Sequence, residues 1–295
     1  MLAAGCVCRR VEQRGRKRVF LGGCKGVCSP SPWERTTARR REGGRGMGRG
    51  GYSIKGKESL STYCGLHILV DLLLSFEDDH FGMSLRLTIQ RFGVSKYERA
   101  LELMAQRERV VRAKRSQGFL LVMSHPPTIT LGRLALASDV LMSRLSRLGA
   151  GIGLFYVDRG GGATYHYPGQ AIVYPVLDLE YAGLGVRRFI RVLCDAVIDT
   201  MKMVGVDGWF DEKRPGVYVG RSKVASIGLA IRGTVSSHGV ATNCSKKGIE
   251  FFKMIVPCKD RSLEVSCLED WTSKPLDPLW FGVEVAKRLR ERLCE

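Results

Sequence analysis

Asp158 to Asp178 reads DRGGGATYHYPGQAIVYPVLD. An apolar, strand-like run, Gly153 to Val157, leads into Arg159 and three consecutive glycines. Thr164, Tyr165 and His166 follow, then a Pro168-Gly169 turn, Gln170, and a second apolar run that ends at Leu177. Consecutive glycines let a backbone approach a ligand with no side chain in the way. Two flanking strands give such a loop a rigid support from which its polar groups can be aimed. The stretch is a candidate binding wall set between two strands.

Regular patterning on the N-terminal side of this wall begins at Met83. Leu85, Leu87 and Ile89 alternate with Ser84, Arg86 and Thr88, the pattern of a half-buried strand. Ser95 with Glu98 three residues later makes a capping box, and Tyr97, Leu101, Met104 and Val111 recur at helical spacing, which predicts a helix to about Lys114. Phe119 to Met123 reads as a buried strand running into SHPPTITLGR, Ser124 to Arg133, a loop and a further extended piece. Ser138 or Asp139 can cap a helix to about Leu148.

On the C-terminal side, Val186 to Val204 is strongly amphipathic. Phe189, Val192, Leu193, Ala196, Val197, Thr200 and Met201 share one face, with Arg187, Arg188, Arg191 and Asp195 off it. Gly216 to Val219, a Gly220-Arg221-Ser222 turn and Lys223 to Ile231 form a hairpin signature. Extended runs are expected over Thr234 to Cys244 and Phe251 to Val256, the latter leading into Pro257-Cys258, and a helix over Trp280 to Leu293. Hairpins mixed with long helices, without regular βαβ alternation, predict an α/β protein of the α+β kind, a mixed sheet flanked by helices.

The chain has 295 residues and a formal net charge of +18, so the location of the charge matters. Residues 1–57 carry 15 Lys and Arg against 3 Asp and Glu, and residues 58–82 add five acids and no base. The two segments together net +7, and residues 83–295 net +11. Rich in Arg and Gly and poor in aliphatics, residues 1–57 cannot bury enough surface to offset chain entropy, so disorder is expected there. Three readings of that segment stay open: an organelle-targeting sequence, a nucleic-acid-binding tail, or translated sequence upstream of a true start near Met83. The domain expectation is an extension and linker over 1–82, then one catalytic domain over 83–295. Leu66 to Phe76 is broken by Asp71 and falls short of the roughly 20 residues that span a bilayer. Five of the ten cysteines precede Met83; Cys6, Cys8, Cys24 and Cys28 match no common zinc spacing. The five later ones are scattered, as free thiols in a reducing compartment are.

Cys258 follows an apolar run and a proline, a strand-end position of the kind that presents reactive groups, and Lys223 opens the strand KVASIG. Taken one at a time these are ordinary residues. Taken in order, DRGGGATYHYPGQ, GVYVGRSKVASIG, SSHGVATN and IVPC resemble the lipoyl(octanoyl) transferase family, with HPPTITLGR similar to its upstream segment and Glu264-Val265-Ser266 to its stretch after the cysteine. The likeness runs from about Met83 to Ser266. Three departures accompany it: Tyr167 where the family has glycine, Lys259 where it usually has glycine, and Thr242 where it usually has leucine. Tyr167 is therefore expected either to reshape an acyl pocket or to point away from it.

The resemblance implies a class II synthetase-like fold of the biotin/lipoate protein ligase type. It implies transfer of an octanoyl or lipoyl group from acyl carrier protein, through a thioester on Cys258, to a lysine of a lipoyl-accepting domain. The acceptors implied are the lipoyl domains of 2-oxoacid dehydrogenases and the glycine cleavage H protein. Lys223 would favour the Cys258 thiolate and later accept a proton from the attacking lysine. Arg159, Gly160, Gly161, Gly162, Ala163, Thr164, Tyr165 and His166, with Ser226, Ile227, Gly228, Gly239, Val240 and Ala241, would line the acyl channel. Exchange of one thioester for another is near energetic balance, so no ATP, cofactor or metal is implied. A monomer without membrane or nucleic-acid partners is expected. The cytoplasm is the expected compartment, or the mitochondrial matrix or a plastid should residues 1–82 act as a transit peptide. An ATP-dependent lipoate or biotin ligase, a catalytically silent relative, and a nucleic-acid-binding protein built on the basic start stay open as alternatives.

Overall fold

The structure, a computed structural model, describes residues 85–141, 151–256 and 263–294. The 1–82 extension, residues 142–148 of the expected helix to Leu148, and Cys258 with its neighbour Lys259 lie outside the described residues. Where that helix is expected to start, Ser138 and Asp139 belong to a 3-10 turn (Ala137–Asp139) followed by an extended Val140 that bridges to Ile255. Among the described residues the order is β1 (Arg86–Val94), α1 (Tyr97–Ala113), β2 (Gln117–Ser124), β3 (Thr128–Leu131), β4 (Gly153–Tyr156), β5 (Ala163–His166) and β6 (Gln170–Val176). Then come α2 (Val186–Met203), β7 (Trp209–Phe210), β8 (Gly216–Val219), β9 (Ser222–Arg232), β10 (Val235–Asn243) and α3 (Pro278–Cys294). No helix among them is long and apolar enough to cross a membrane.

The strands form a seven-stranded mixed sheet, β1-β2-β6-β10-β9-β8-β7, and a three-stranded sheet, β4-β3-β5. In the large sheet β1 and β2 run parallel and every other pair is antiparallel. Its central strands are apolar on both faces because both faces are covered. On β2, Leu120 and Val122 pack toward α2 and α3, whereas Leu121 and Met123 pack toward α1; β6 divides Ala171 and Val173 from Ile172, Tyr174 and Val176 in the same way. On α2 the predicted stripe is the buried one, including Phe189, Leu193, Val197 and Met201. Burial of each large apolar side chain there stabilises the fold by about 2 kcal/mol. A third cluster, Ile129, Leu131, Tyr165, Tyr167 and Phe252 among others, sits under the small sheet.

Two local expectations fail for identifiable reasons. The helix after β1 starts with Lys96 as N-cap and has no side-chain cap. Ser95 still pairs with the end of β2, its amide donating to Ser124 O (2.8 Å) and its carbonyl accepting from His125 Nδ1 (2.7 Å), and its hydroxyl donates back to Gly93 O (3.4 Å) and does not cap the helix. The extended run expected over Phe251 to Val256 is instead a 3-10 helix, Ile249–Met254, entered through the left-handed Gly248 (φ 99°). Its driving contact is aromatic: Phe251 and Phe252 both pack edge-on against Tyr165.

An ion pair between the half-exposed Arg115 and the buried Asp178 ties the sheet to the chain entering α2. Burial alone would raise the Asp178 carboxyl, but Arg115 (2.6 and 3.1 Å), the Tyr181 amide and the Thr234 hydroxyl hold it down to about 2. A carboxyl depressed in the folded state adds stability that is present above its unfolded value near 4 and lost as pH falls toward 2. Asp178→Asn is therefore expected to lower unfolding free energy by about 1–3 kcal/mol at pH 7 and to flatten the acid limb between pH 4 and 2. Urea titration at several pH values reads both.

Candidate active site

The glycine loop is held by its own arginine. Arg159 is buried, and its guanidinium donates to Thr130 O (2.8 Å), twice to Thr130 Oγ1 (2.8 and 3.2 Å) and to Gly160 O (2.9 Å). Both lone pairs of the Thr130 hydroxyl are thereby occupied, so its proton is directed to His166 Nε2, 3.4 Å away. His166 must then carry its proton on Nδ1, which donates to Gln170 Oε1 (3.0 Å). The Gln170 amide nitrogen donates to Tyr165 O (3.0 Å) and Asn243 Oδ1 (2.8 Å), and Asn243 Nδ2 donates to Ser266 O (2.9 Å). One polar chain thus links the loop, the end of β10 and the segment that follows Cys258. Gly228 of β9 permits the arginine's position: a Cβ there would meet Arg159 Cδ at 2.8 Å.

A narrow cavity of about 50 Å³ lies against this wall, lined by the loop, by β9 and β10, and by Tyr97 and Tyr174. Of the loop and strand residues expected from sequence, Arg159, Gly161, Gly162, Ala163, Thr164, His166, Ser226, Ile227, Gly228, Gly239, Val240 and Ala241 line it. Gly160 and Tyr165 do not line it, which corrects the expectation for those two. The Gly160 amide donates to Leu229 O of β9 (2.8 Å). Strand alternation sends Tyr165 to the opposite face, where it stacks on Tyr167 at 5.7 Å. Tyr167 points away from the cavity as well: it is fully buried in that cluster and its hydroxyl donates to Ser245 O (2.9 Å). The residues that sequence reasoning missed are Tyr97, Tyr174 and His238. Tyr97 reads as ordinary helix core in the sequence, and only a histidine beside Gly239 hinted at the last.

Burial keeps the three histidines here neutral. His125 is pushed down to about 4, against the Ser95 carbonyl that favours its charge; His238 falls to about 3, with Arg159 adding to burial; and His166 lies well below the usual range for the same reasons. The His125 ring has both nitrogens engaged, by Ser95 O and by Tyr174 Oη (3.0 Å).

Lys223 is buried at the start of β9 and is not itself part of the cavity lining. Its ammonium donates to Pro215 O (3.0 Å) and lies 5.6 Å from the centre of the Tyr218 ring. Its backbone grips the returning chain: Lys223 N donates to Glu264 O (2.8 Å), and Ser266 N donates to Lys223 O (3.1 Å). Gly216, across the hairpin, leaves room for the lysine stem, since a Cβ there would meet Lys223 Nζ at 2.9 Å and Ala225 O at 2.7 Å. Gly216→Ala is expected to push the ammonium off Pro215 O and to lower stability by about 1–3 kcal/mol. Any activity that depends on Lys223 should fall with it, as paired melting and turnover measurements would show. The described thiols, Cys194, Cys244, Cys267 and Cys294, are unpaired, and burial raises the pKa of each, Cys267 to about 12. None of these four is poised as a thiolate.

Residues 96–289 match the family model for the lipoyl protein ligase A/B catalytic domain. The chain is 34% identical over 198 residues to an octanoyltransferase of Alkaliphilus metalliredigens, covering 65% of this chain and 88% of that protein. It is also 34% identical over 185 residues to a mitochondrial octanoyltransferase of Arabidopsis thaliana, covering 62% and 77%. Among solved structures, a lipoate-protein ligase A bound with ATP superposes with a TM-score of 0.53 at 16% identity, over 72% of this chain and 92% of that one. A bipartite lipoate-protein ligase from Thermoplasma acidophilum gives 0.52 at 18%, over 72% and 84%. At such identities the structures speak to fold alone, and the fold is the mixed sheet of these ligases. By the family model and by its sequence relatives, this chain belongs to the lipoyl protein ligase A/B catalytic domain family.

Proposed function

We propose that this protein is an octanoyltransferase that moves an octanoyl or lipoyl group from acyl carrier protein to a lysine of a lipoyl domain, through a thioester on Cys258. Relatives named octanoyltransferase support the activity. The observation that carries the site assignment is the grip of Lys223 on Glu264 and Ser266, which returns the chain to this lysine six residues after Cys258. A free thiol titrates near 8.5, so only a few per cent is thiolate at neutral pH. An adjacent ammonium favours the thiolate, and each unit of depression yields about tenfold more nucleophile.

In the first half-reaction the Cys258 thiolate attacks the carrier thioester, the carrier thiolate leaves with the proton of the Lys223 ammonium, and the acyl group rests on Sγ beside a neutral Lys223. In the second, the acceptor amine attacks that carbonyl, Lys223 takes the proton, and the cysteine is released as thiolate. Arg159, Gly161 and Gly162, with Ser226 to Gly228 and Gly239 to Ala241, hold the acyl chain. The net +11 of residues 83–295 suits acidic carrier and acceptor domains and speeds their encounter. The reading places enzyme and partners in one aqueous compartment, the cytoplasm, or an organelle matrix should the basic start direct import.

Intact mass spectrometry after incubation with octanoyl carrier protein tests this directly. An octanoyl adduct is expected on the wild type and none on Cys258→Ser. A Cys258→Ser protein that still octanoylates a lipoyl domain would sink the thioester mechanism; if it did so only with ATP and free acid, the ligase reading would replace it.

A further inference from the structure

Among the described residues, two buried polar side chains in the cavity wall have no hydrogen-bond partner: Tyr97, through its hydroxyl, and His238, through both ring nitrogens. They are 1% and 3% exposed. Strand register locates them. Along β10, Ala241 stands opposite Ser226 and His238 opposite Leu229, and Lys223 lies three residues before Ser226. The Ser226–Ala241 level is therefore the end of the cavity next to Lys223, and His238 marks a point about 10 Å deeper, at about 3.3 Å per residue. A chain whose carbonyl sits at the Ser226–Ala241 level would reach His238 with about eight carbons in extended form.

His238 is also held in an unusual way. Its backbone is left-handed (φ 58°), the one such non-glycine position among the described residues, a conformation that is uncommon outside glycine. Plain alternation would place it beside Val240, which packs toward α2; instead its ring lies 6.0 Å from that of Tyr174, a residue of the α1 side. The turn thus aims the imidazole into the cavity. Tyr97 reaches the same region from the first turn of α1. The other polar side chains nearby, His125, His166 and Tyr174, already have partners.

Resting on the acyl-transfer reading above, we propose that Tyr97 and His238 form a polar stop that sets the length of acyl chain the protein accepts. When the deep end of the cavity is empty, a small rotation of either side chain toward it lets water supply the missing partner. A chain of eight carbons ends in front of them and leaves that room. A longer chain fills it with methylenes and denies both the hydroxyl and the imidazole a hydrogen bond. Leaving a buried polar group stranded lowers affinity by about tenfold to a hundredfold per group. Discrimination comes from what the longer chain cannot offer, which is how a buried polar site rejects an apolar group more sharply than a hydrophobic pocket could.

The test compares octanoyl and dodecanoyl carrier protein as donors to the full chain, reading acylation rates by mass. Wild type is expected to favour octanoyl by at least about tenfold. Tyr97→Phe, which removes only the hydroxyl, should shrink that ratio by about tenfold, and His238→Leu should do the same by an independent route. A merely structural role would slow both donors in parallel. A wild type indifferent to length, or a ratio unchanged in both variants, overturns the stop. Should no donor acylate the wild type, the transfer reading fails by itself. Calorimetric binding of octanoate and dodecanoate to the same three proteins then decides the stop separately, with the same ratios as the criterion.

Discussion

Lys223→Met is expected to reduce octanoyl transfer at pH 7 by about 10²–10⁴-fold, the range of a lost acid–base group, while the protein stays folded. Methionine nearly reproduces the lysine stem in its buried slot between Gly216 and Tyr218. Replacing a buried charge by an apolar group of like volume is often neutral for stability; here Pro215 O also loses a donor. The backbone contacts to Glu264 and Ser266 use no side-chain atom of residue 223 and survive. The two half-reactions should separate with pH. On the proposed mechanism, loss of the ammonium would return the Cys258 thiol toward the free value of about 8.5, so adduct formation in the variant should climb about tenfold per pH unit and approach the wild-type rate near pH 9. Transfer onto the acceptor lysine loses its proton acceptor and should gain less. Wild-type turnover by Lys223→Met at pH 7 would remove both roles assigned to this lysine.

The sequence made the elements legible wherever one periodicity governed them. The apolar stripe of α2 and the hairpin of β8 and β9 are where their patterns place them, because each buries one continuous face. Ser95 misled because strand pairing to Ser124 continues through it, which moves the N-cap to Lys96 and leaves the Ser95 hydroxyl on Gly93 O. Phe251 to Met254 misled because a short apolar run does not distinguish a strand from a 3-10 turn, and the aromatic partners Tyr165 and Tyr167 lie some 85 residues away in sequence. The glycine loop announced a close approach, yet not to what: Gly228 makes room for the protein's own Arg159. Tyr167 stood out as the discordant residue of its motif, and its ring fills the cluster under the small sheet. What no local pattern encodes is the convergence of Tyr97, Tyr174 and His238, which come from three elements and meet only when α1 closes over the sheet.

Gln170→Leu is expected to destabilise the protein by about 3–5 kcal/mol and to impair transfer beyond what that loss explains. Gln170 is the hinge of the polar chain from Arg159 to Ser266. It accepts from His166 Nδ1 and donates to Tyr165 O and to Asn243 Oδ1, all buried groups. Leucine fits the volume and satisfies none of the three, and each stranded group costs about 1–3 kcal/mol. Relaxation of Asn243 recovers part of the loss only by giving up the Ser266 carbonyl, which is a contact of the segment that returns to Lys223. Stability and chemistry are therefore coupled through one amide. A double-mutant cycle isolates the coupling: Gln170→Leu and Asn243→Leu together should cost less than the sum of the two alone by at least about 1 kcal/mol, since either substitution breaks the same link. Urea unfolding with an unchanged m-value supplies the energies, and transfer rates measured well below the melting temperature supply the catalytic part. Strict additivity in stability would show that the two amides are independent neighbours, and full activity in Gln170→Leu would show that the loop positions the acyl chain without reference to the segment after Cys258.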